Sequence, residues 1–486
     1  MKQFLLPLLV ITACSFIMAC GIAVSQDPDR ASKRSAPTPP VEKDITTITS
    51  SMQEPVSSPA TGWDSSGAVS WLAQASNKYY LSTSAPQEFY VYLQVRGHET
   101  TQEKKRVPLN ISLVLDRSGS MRGDKIAYAR KAAAFVVEQL GEEDVLSIVN
   151  YDDRVEVTSP SAPVKNKEAL IKKILALQDR GSTNLTGGML EGYTQVKSTQ
   201  KDGYVNRVLL MTDGLANMGI TDPEQIKKIA AAKYLEEGVA LSTFGLGADY
   251  NEDLLTMLAE TGRANYYFID NPDKIPAIFA AELKGLLSVV AQNSLVEITI
   301  PDGLECVKAF GYPYEIKGNT VQVRLNDVYA RDEKGILFKF RSRGAVGGAV
   351  AFKCHLQFTD ASSFQTIKDA KTLYLEPASD ILVRSSENKL VQEMIALFEA
   401  TESFDAVLAW VDAGQYEQAR ALADSVVIHL QKKQKNIPSE KLKKQEESIA
   451  AYSRDLEKVK QMREEDKKMY QKSNKSANYN LKKGKQ

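Results

Sequence analysis

Between Leu113 and Gly123 the chain reads LVLDRSGSMRG. Asp116, Ser118 and Ser120 follow an apolar run at alternate positions, so three small oxygen-bearing side chains crowd one turn. Packing does not ask for them there, because a buried polar group costs free energy unless it finds a partner. Small carboxylates and hydroxyls are the donors that hard divalent cations take. Mg²⁺ suits them best, with Mn²⁺ and Ca²⁺ as alternatives. Two more donors lie downstream. DRGSTNLTGG carries Thr183 in a glycine-rich loop ahead of a helical stretch, and VLLMTDGLAN puts Asp213 at the end of a second apolar strand. Asp116, Ser118, Ser120, Thr183 and Asp213 are therefore candidate metal ligands. Gly181, Gly187, Gly188 and Gly214 would let the backbone turn tightly beside the ion.

The elements around these residues alternate. ISLVLD, DVLSIVNY, RVLLMTD, VALSTFGLG and ANYYFI read as buried strands. Between them, KIAYARKAAAFVVEQL, KEALIKKILAL, GGMLEGYTQVK, DPEQIKKIAAAKYLEEG and NEDLLTMLAETG have helical spacing. IPAIFAAELKGLL closes the series as a last helix. Strand and helix in alternation predict an α/β fold with a doubly wound, mostly parallel sheet flanked by helices. Ligands of such sheets sit beyond the carboxyl ends of the strands, which is where all three donor loops fall.

DRSGS, GST and TDG, in this order, resemble the von Willebrand factor A (VWA) domain with its metal-ion-dependent adhesion site. The resemblance covers about residues 108–285 and matches at all five donor positions. It implies that the hydroxyls bind the metal directly, that the two Asp act largely through waters, and that an Asp or Glu of a protein partner completes the shell. Arg117 and Met121 would then lie at the rim and tune partner choice. The surrounding β pattern is similar to bacterial proteins related to inter-alpha-trypsin inhibitor heavy chains. The last helix, which shifts on ligand binding in related adhesion domains, would run directly into that β region.

Alternating segments on either side (EFYVYLQVRG before; SLVEITI, NTVQVRL, GILFKF and AVAFKCHLQF after) predict a β-sandwich built from 67–107 and 286–378. The VWA domain is inserted in it or followed by it. Cys306 and Cys354 fall in this sandwich, either as a disulfide or as two separate core thiols. Residues 379–435 read as a helical hairpin or a partial tetratricopeptide-like unit. Residues 436–486 read as a charged helical or disordered tail with a Lys-rich end.

The start of the chain, MKQFLLPLLVITACSFIMACG, has the charge, apolar run and small residues of a secretory signal. Residues 1–19 are expected to be a lipoprotein signal peptide, with lipid on Cys20 and Cys14 as the alternative. The Ser/Thr/Pro-rich stretch 20–66 is expected to be a flexible tether. These features place the protein at a bacterial cell envelope, anchored through its N-terminal lipid. The formal net charge is +0, so nothing draws the chain to nucleic acid. Three His, none in an H-E-x-x-H helix, offer no zinc site, and no nucleophile–base setting or phosphate loop is present. The reading is a binding protein and not an enzyme, with an envelope assembly or scaffold factor acting through its helical region as the alternative.

Overall fold

The computed structural model describes residues 63–99 and 106–484. The expected signal peptide, both lipidation candidates Cys14 and Cys20, and nearly all of the expected tether lie outside the described residues.

The chain enters a β-sandwich through β1 (Asp64–Ser66), β2 (Val69–Ala75), β3 (Tyr79–Leu81) and β4 (Glu88–Gly97). The sandwich therefore starts inside the segment expected as tether: Trp63 already lies under the Arg96 guanidinium, 4.0 Å from ring centroid to Cζ.

The inserted domain follows. It comprises β5 (Leu109–Asp116), α1 (Asp124–Gln139), β6 (Val145–Tyr151), β7 (Val155–Pro163), α2 (Lys167–Leu175), α3 (Leu185–Ser198) and β8 (Val205–Thr212). It continues through α4 (Pro223–Glu237), β9 (Ala240–Leu246), α5 (Glu252–Thr261), β10 (Arg263–Ile269) and α6 (Ile275–Leu286). The sheet order is β10-β9-β8-β5-β6-β7, parallel except for the antiparallel β6–β7 edge. Every residue of β5 is buried, as a central strand covered on both faces requires. Helix ends follow local chemistry: Asp222 caps α4 by accepting from the Gln225 amide (2.8 Å), and Gly238 closes it at φ 65.

The chain then returns to the sandwich as β11 (Val289–Thr299), β12 (Leu304–Phe310), β13 (Tyr314–Lys317), β14 (Thr320–Arg324) and β15 (Val328–Tyr329). β16 (Glu333–Ser342), β17 (Val350–Asp360) and β18 (Thr366–Ala378) complete it. One sheet runs β1-β2-β4-β16-β12 and the other β13-β14-β11-β17-β18-β3. Their inner faces share one core, in which Trp71, Val91 and Phe338 of the first meet Val296, Phe352 and Leu356 of the second. β4 pairs with β16 across the whole insertion. Cys306 lies on β12 and Cys354 on β17, in different sheets, and both are free thiols. The alternative of two separate thiols is the one found.

Five helices end the described chain: α7 (Asp380–Ser385), α8 (Lys389–Asp412), α9 (Tyr416–Asn436), α10 (Glu440–Gln461) and α11 (Glu464–Lys482). Their core joins Leu72, Tyr92, Phe310 and Leu337 on the outer face of the five-stranded sheet. Of the two alternatives for 436–486, a charged helical or a disordered tail, the described residues follow the helical one, as α10 and α11. In α10, Leu442, Ile449, Tyr452, Leu456 and Val459 are buried at helical spacing. α11 reaches the inserted domain: the Lys472 ammonium donates to the Tyr250 carbonyl (2.9 Å), and Tyr479 meets Tyr266 edge-on at 5.6 Å.

Candidate metal centre at the carboxyl edge of the sheet

The five candidate donors come from three loops and converge. Asp116 ends β5, and its Oδ1 accepts the Ser118 amide (2.8 Å), which folds the turn back on itself. Ser118 Oγ and Ser120 Oγ are 3.0 Å apart. Ser120 donates to Asp213 Oδ1 across the sheet (2.7 Å). Thr183 joins them: a Cβ built on Gly214 would lie 3.4 Å from Ser120 Oγ and 3.6 Å from Thr183 Oγ1. The Thr183 loop is held against the first turn by the Gly119 amide, which donates to the Gly181 carbonyl (3.1 Å). Gly181 adopts φ +71, and a side chain there would strike Asp153 at 2.2 Å, so the loop needs glycine at this point.

The electrostatics are unusual for a protein interior. Asp116 and Asp213 are both fully buried. Burial, with a smaller contribution from nearby Asp213, pushes the Asp116 carboxyl up to about 6, although hydrogen bonds from Thr212 and Ser118 oppose the rise. One cation reaches the pair: the Lys125 ammonium, in the first turn of α1, donates to Asp213 Oδ2 at 2.5 Å. Two buried carboxylates with three hydroxyls and one ammonium form a site whose negative charge is only half answered. The donor set fits a small hard cation, all oxygen and mostly neutral hydroxyl. Among the described residues no group of three or more His, Cys, Asp or Glu is placed to hold a metal, so a site here relies on its hydroxyls. A bound divalent ion supplies an electrophilic position at which an outside carboxylate can bind.

Three supporting residues were not singled out from the sequence. Lys125 was hidden as one more polar position on an amphipathic helix. Thr212 donates to Asp116 Oδ2 (2.6 Å) and sits beside the TDG motif, where its role was within reach. Asn217 Oδ1 accepts the Thr183 amide (2.8 Å), a contact between distant loops that spacing does not reveal. Two expectations about the rim are corrected. Met121 is 0% exposed and Arg117 7%. Met121 is drawn into the core beneath α1. Arg117 bonds Asp152 (2.7 Å) and Glu156 (2.8 Å). The exposed side chains on the loops at this edge are instead Arg122, Arg154 and Arg180 and Leu215, Met218 and Ile220.

A parallel sheet with hydroxyl and carboxylate loops gathered at its carboxyl edge defines the class, and residues 110–281 match the von Willebrand factor type A domain. Residues 110–281 of the chain are a VWA domain. VWA domains generally mediate protein–protein interaction or adhesion, and they often bind a divalent metal at this edge.

The uncharacterized protein YfbK of Escherichia coli (strain K12) is 34% identical over 191 residues, covering 39% of this chain and 33% of that protein. Inter-alpha-trypsin inhibitor heavy chain H3 of Rattus norvegicus is 28% identical over 252 residues, covering 47% of this chain and 27% of that protein. The match thus spans a third or less of the length of these two relatives. Among solved structures, the ArnB paralog VWA2 from Sulfolobus acidocaldarius superposes with a TM-score of 0.58 at 18% identity, over 85% of this chain and 98% of that one. That likeness extends the shared fold well beyond the VWA domain.

Proposed function

We propose that this chain is a non-enzymatic binding protein of the bacterial cell envelope. Its VWA domain takes an acidic side chain of a protein partner onto a Mg²⁺ ion. Ser118, Ser120 and Thr183 would hold the ion, with Asp116 and Asp213 behind them. The observation that carries this reading is the half-compensated carboxylate pair at the open edge of the sheet. Two buried carboxylates facing one ammonium leave a negative charge that a further cation would balance. Mn²⁺ and Ca²⁺ would satisfy the same oxygens.

The test is calorimetric titration of the protein with MgCl₂ and MnCl₂, alone and with an acidic peptide, beside Asp116→Ala. Saturable binding that the substitution abolishes supports the reading. No heat in any of these mixtures would end it. The envelope location rests on the N-terminal sequence, with lipid on Cys20. Metabolic labelling with palmitate tests it, and label that persists in a Cys20→Ser variant would move the anchor to Cys14. Among the described residues no helix is long and apolar enough to cross a membrane.

A further inference from the structure

The two sides of the rim differ in kind. On one side every guanidinium is answered locally. Arg122 pairs with Asp179 (3.0 Å), Arg154 with Asp153 (3.8 Å), Arg180 with Asp152 (2.6 Å), and Arg117 with Asp152 and Glu156. Four arginines meet four carboxylates, so this side offers an incoming chain no excess charge.

The other side is apolar and bare. The loop after Asp213 exposes Leu215 at 55%, Met218 at 40% and Ile220 at 37%. Its backbone is nevertheless fastened down. The Asn217 and Met218 amides donate to the Thr183 carbonyl (3.1 and 3.3 Å), and the Thr186 hydroxyl donates to the Ile220 carbonyl (2.5 Å). A loop held this firmly to the metal-donor segment, with three large apolar side chains turned to solvent, is an apolar shelf beside the candidate metal position.

We infer that the partner segment presents a single carboxylate flanked by aliphatic side chains, and not a run of acidic residues. This rests on the proposed metal reading. With a divalent ion bound, the two carboxylates and the Lys125 ammonium leave the centre with one net positive charge, which one carboxylate neutralises. A second acid next to it would face either the apolar shelf or arginines that are already paired. An aliphatic neighbour would cover the shelf, and the gain from such coverage is typically tenfold or more in affinity.

The experiment uses the whole chain with saturating MgCl₂ and three fluorescent peptides read by anisotropy: Gly-Leu-Asp-Leu-Gly, Gly-Ser-Asp-Ser-Gly and Gly-Asp-Asp-Asp-Gly. The Leu-flanked peptide should bind at least tenfold tighter than the Ser-flanked one, and the triple-Asp peptide no better than the Ser-flanked one. Leu215→Ser combined with Met218→Ser should bring the Leu-to-Ser affinity ratio close to one, with the thermal midpoint showing that the variant is folded. Equal affinities for the first two peptides, or tightest binding by the triple-Asp peptide, would overturn the inference. If calorimetry shows Mg²⁺ binding but no peptide binds, the inference falls and the metal site stands. If neither Mg²⁺ nor peptide binds, the metal reading itself has failed.

Discussion

The VWA sheet carries a buried charge cluster at each end, and the two are built on opposite terms. At the amino end, Arg207 of β8 is fully buried and donates to Asp327 of the sandwich (2.5 Å). Glu282 of α6 lies 3.9 Å from the same guanidinium. The Glu282 carboxylate also accepts from Ser242, from Asn265 (2.7 Å) and from Tyr267 (2.7 Å). Burial alone would raise the Glu282 carboxyl, but the Arg207 charge and these hydrogen bonds hold it below its ordinary value. Burial raises Asp327 against the pull of Arg207 and Lys334, so the two carboxylates of this cluster face a guanidinium directly with a second cation, Lys334, acting on Asp327. At the carboxyl edge, Asp116 is pushed up to about 6, and Lys125 serves Asp213 alone. The closed cluster joins β8, α6 and the sandwich and is structural. The open one is left short of positive charge at the face where ligands of parallel sheets bind.

The sharpest way to break this comparison is at the closed end. Asp327→Ala leaves Arg207 buried without its hydrogen-bonded counter-charge, the nearer of its two carboxylates, and should cost about 3–5 kcal/mol. The loss should be the same in Mg²⁺ or in chelator, as read by urea denaturation; a loss confined to one of the two conditions would deny the cluster its structural role.

The open end should respond with the opposite sign. In chelator, Asp116→Asn removes a desolvated charge while keeping a hydrogen-bonding oxygen, and should stabilise the protein by about 1–2 kcal/mol at neutral pH. The raised carboxyl means that the folded chain binds more protons than the unfolded one between the ordinary Asp value and about 6. Wild-type stability in chelator should therefore fall as pH rises through that window, and the slope should flatten in the Asn variant. Thermal denaturation from pH 4 to pH 7 measures this; identical slopes would show that Asp116 carries no such penalty.

Ser120→Ala should destabilise the protein in chelator by about 1 kcal/mol, since it removes, at an exposed position, the hydroxyl that bonds Asp213 and Ser118. It should also erase the upward shift of the melting temperature that the proposed Mg²⁺ site would give the wild type. Smallest of all is the effect of reductant. With Cys306 and Cys354 both unbridged, dithiothreitol should leave the unfolding midpoint unmoved, and a downward shift would reveal a disulfide after all.

The convergence of the candidate donors was legible because small oxygen-bearing side chains at strand ends, repeated on three loops, contradict a purely apolar strand. The strand–helix alternation was legible for the same reason that β5 is wholly buried: a two-sided core demands continuous apolar runs. The closed cluster was not, because Arg207 and Asp327 stand 120 positions apart and their chemistry exists only once the sandwich is beside the sheet. β7 passed unread because its edge position tolerates VEVTSPSAP, a half-exposed stretch with two prolines. α10 and α11 were taken for a tail because their many Lys and Glu mask a sparse apolar stripe that a neighbouring bundle suffices to bury. The apolar shelf was available as Leu215, Met218 and Ile220 in a loop with no periodicity, but nothing in the sequence said that they face out.

The insertion of the VWA domain between β4 and β16 also sets a timetable for folding. Gln94 and Glu333, which bond across that seam, are 239 positions apart, so the central strand pair of one sandwich sheet must close an extremely long loop. A VWA domain that folds first turns most of that loop into a rigid clasp. Shortening the free chain about fourfold lowers the closure entropy by about 1 kcal/mol. In pulse-labelled refolding the amides of β5 and β8 should gain protection before those of β4 and β16. The domain proposed to bind a partner is then also the part expected to be finished before its own support is assembled.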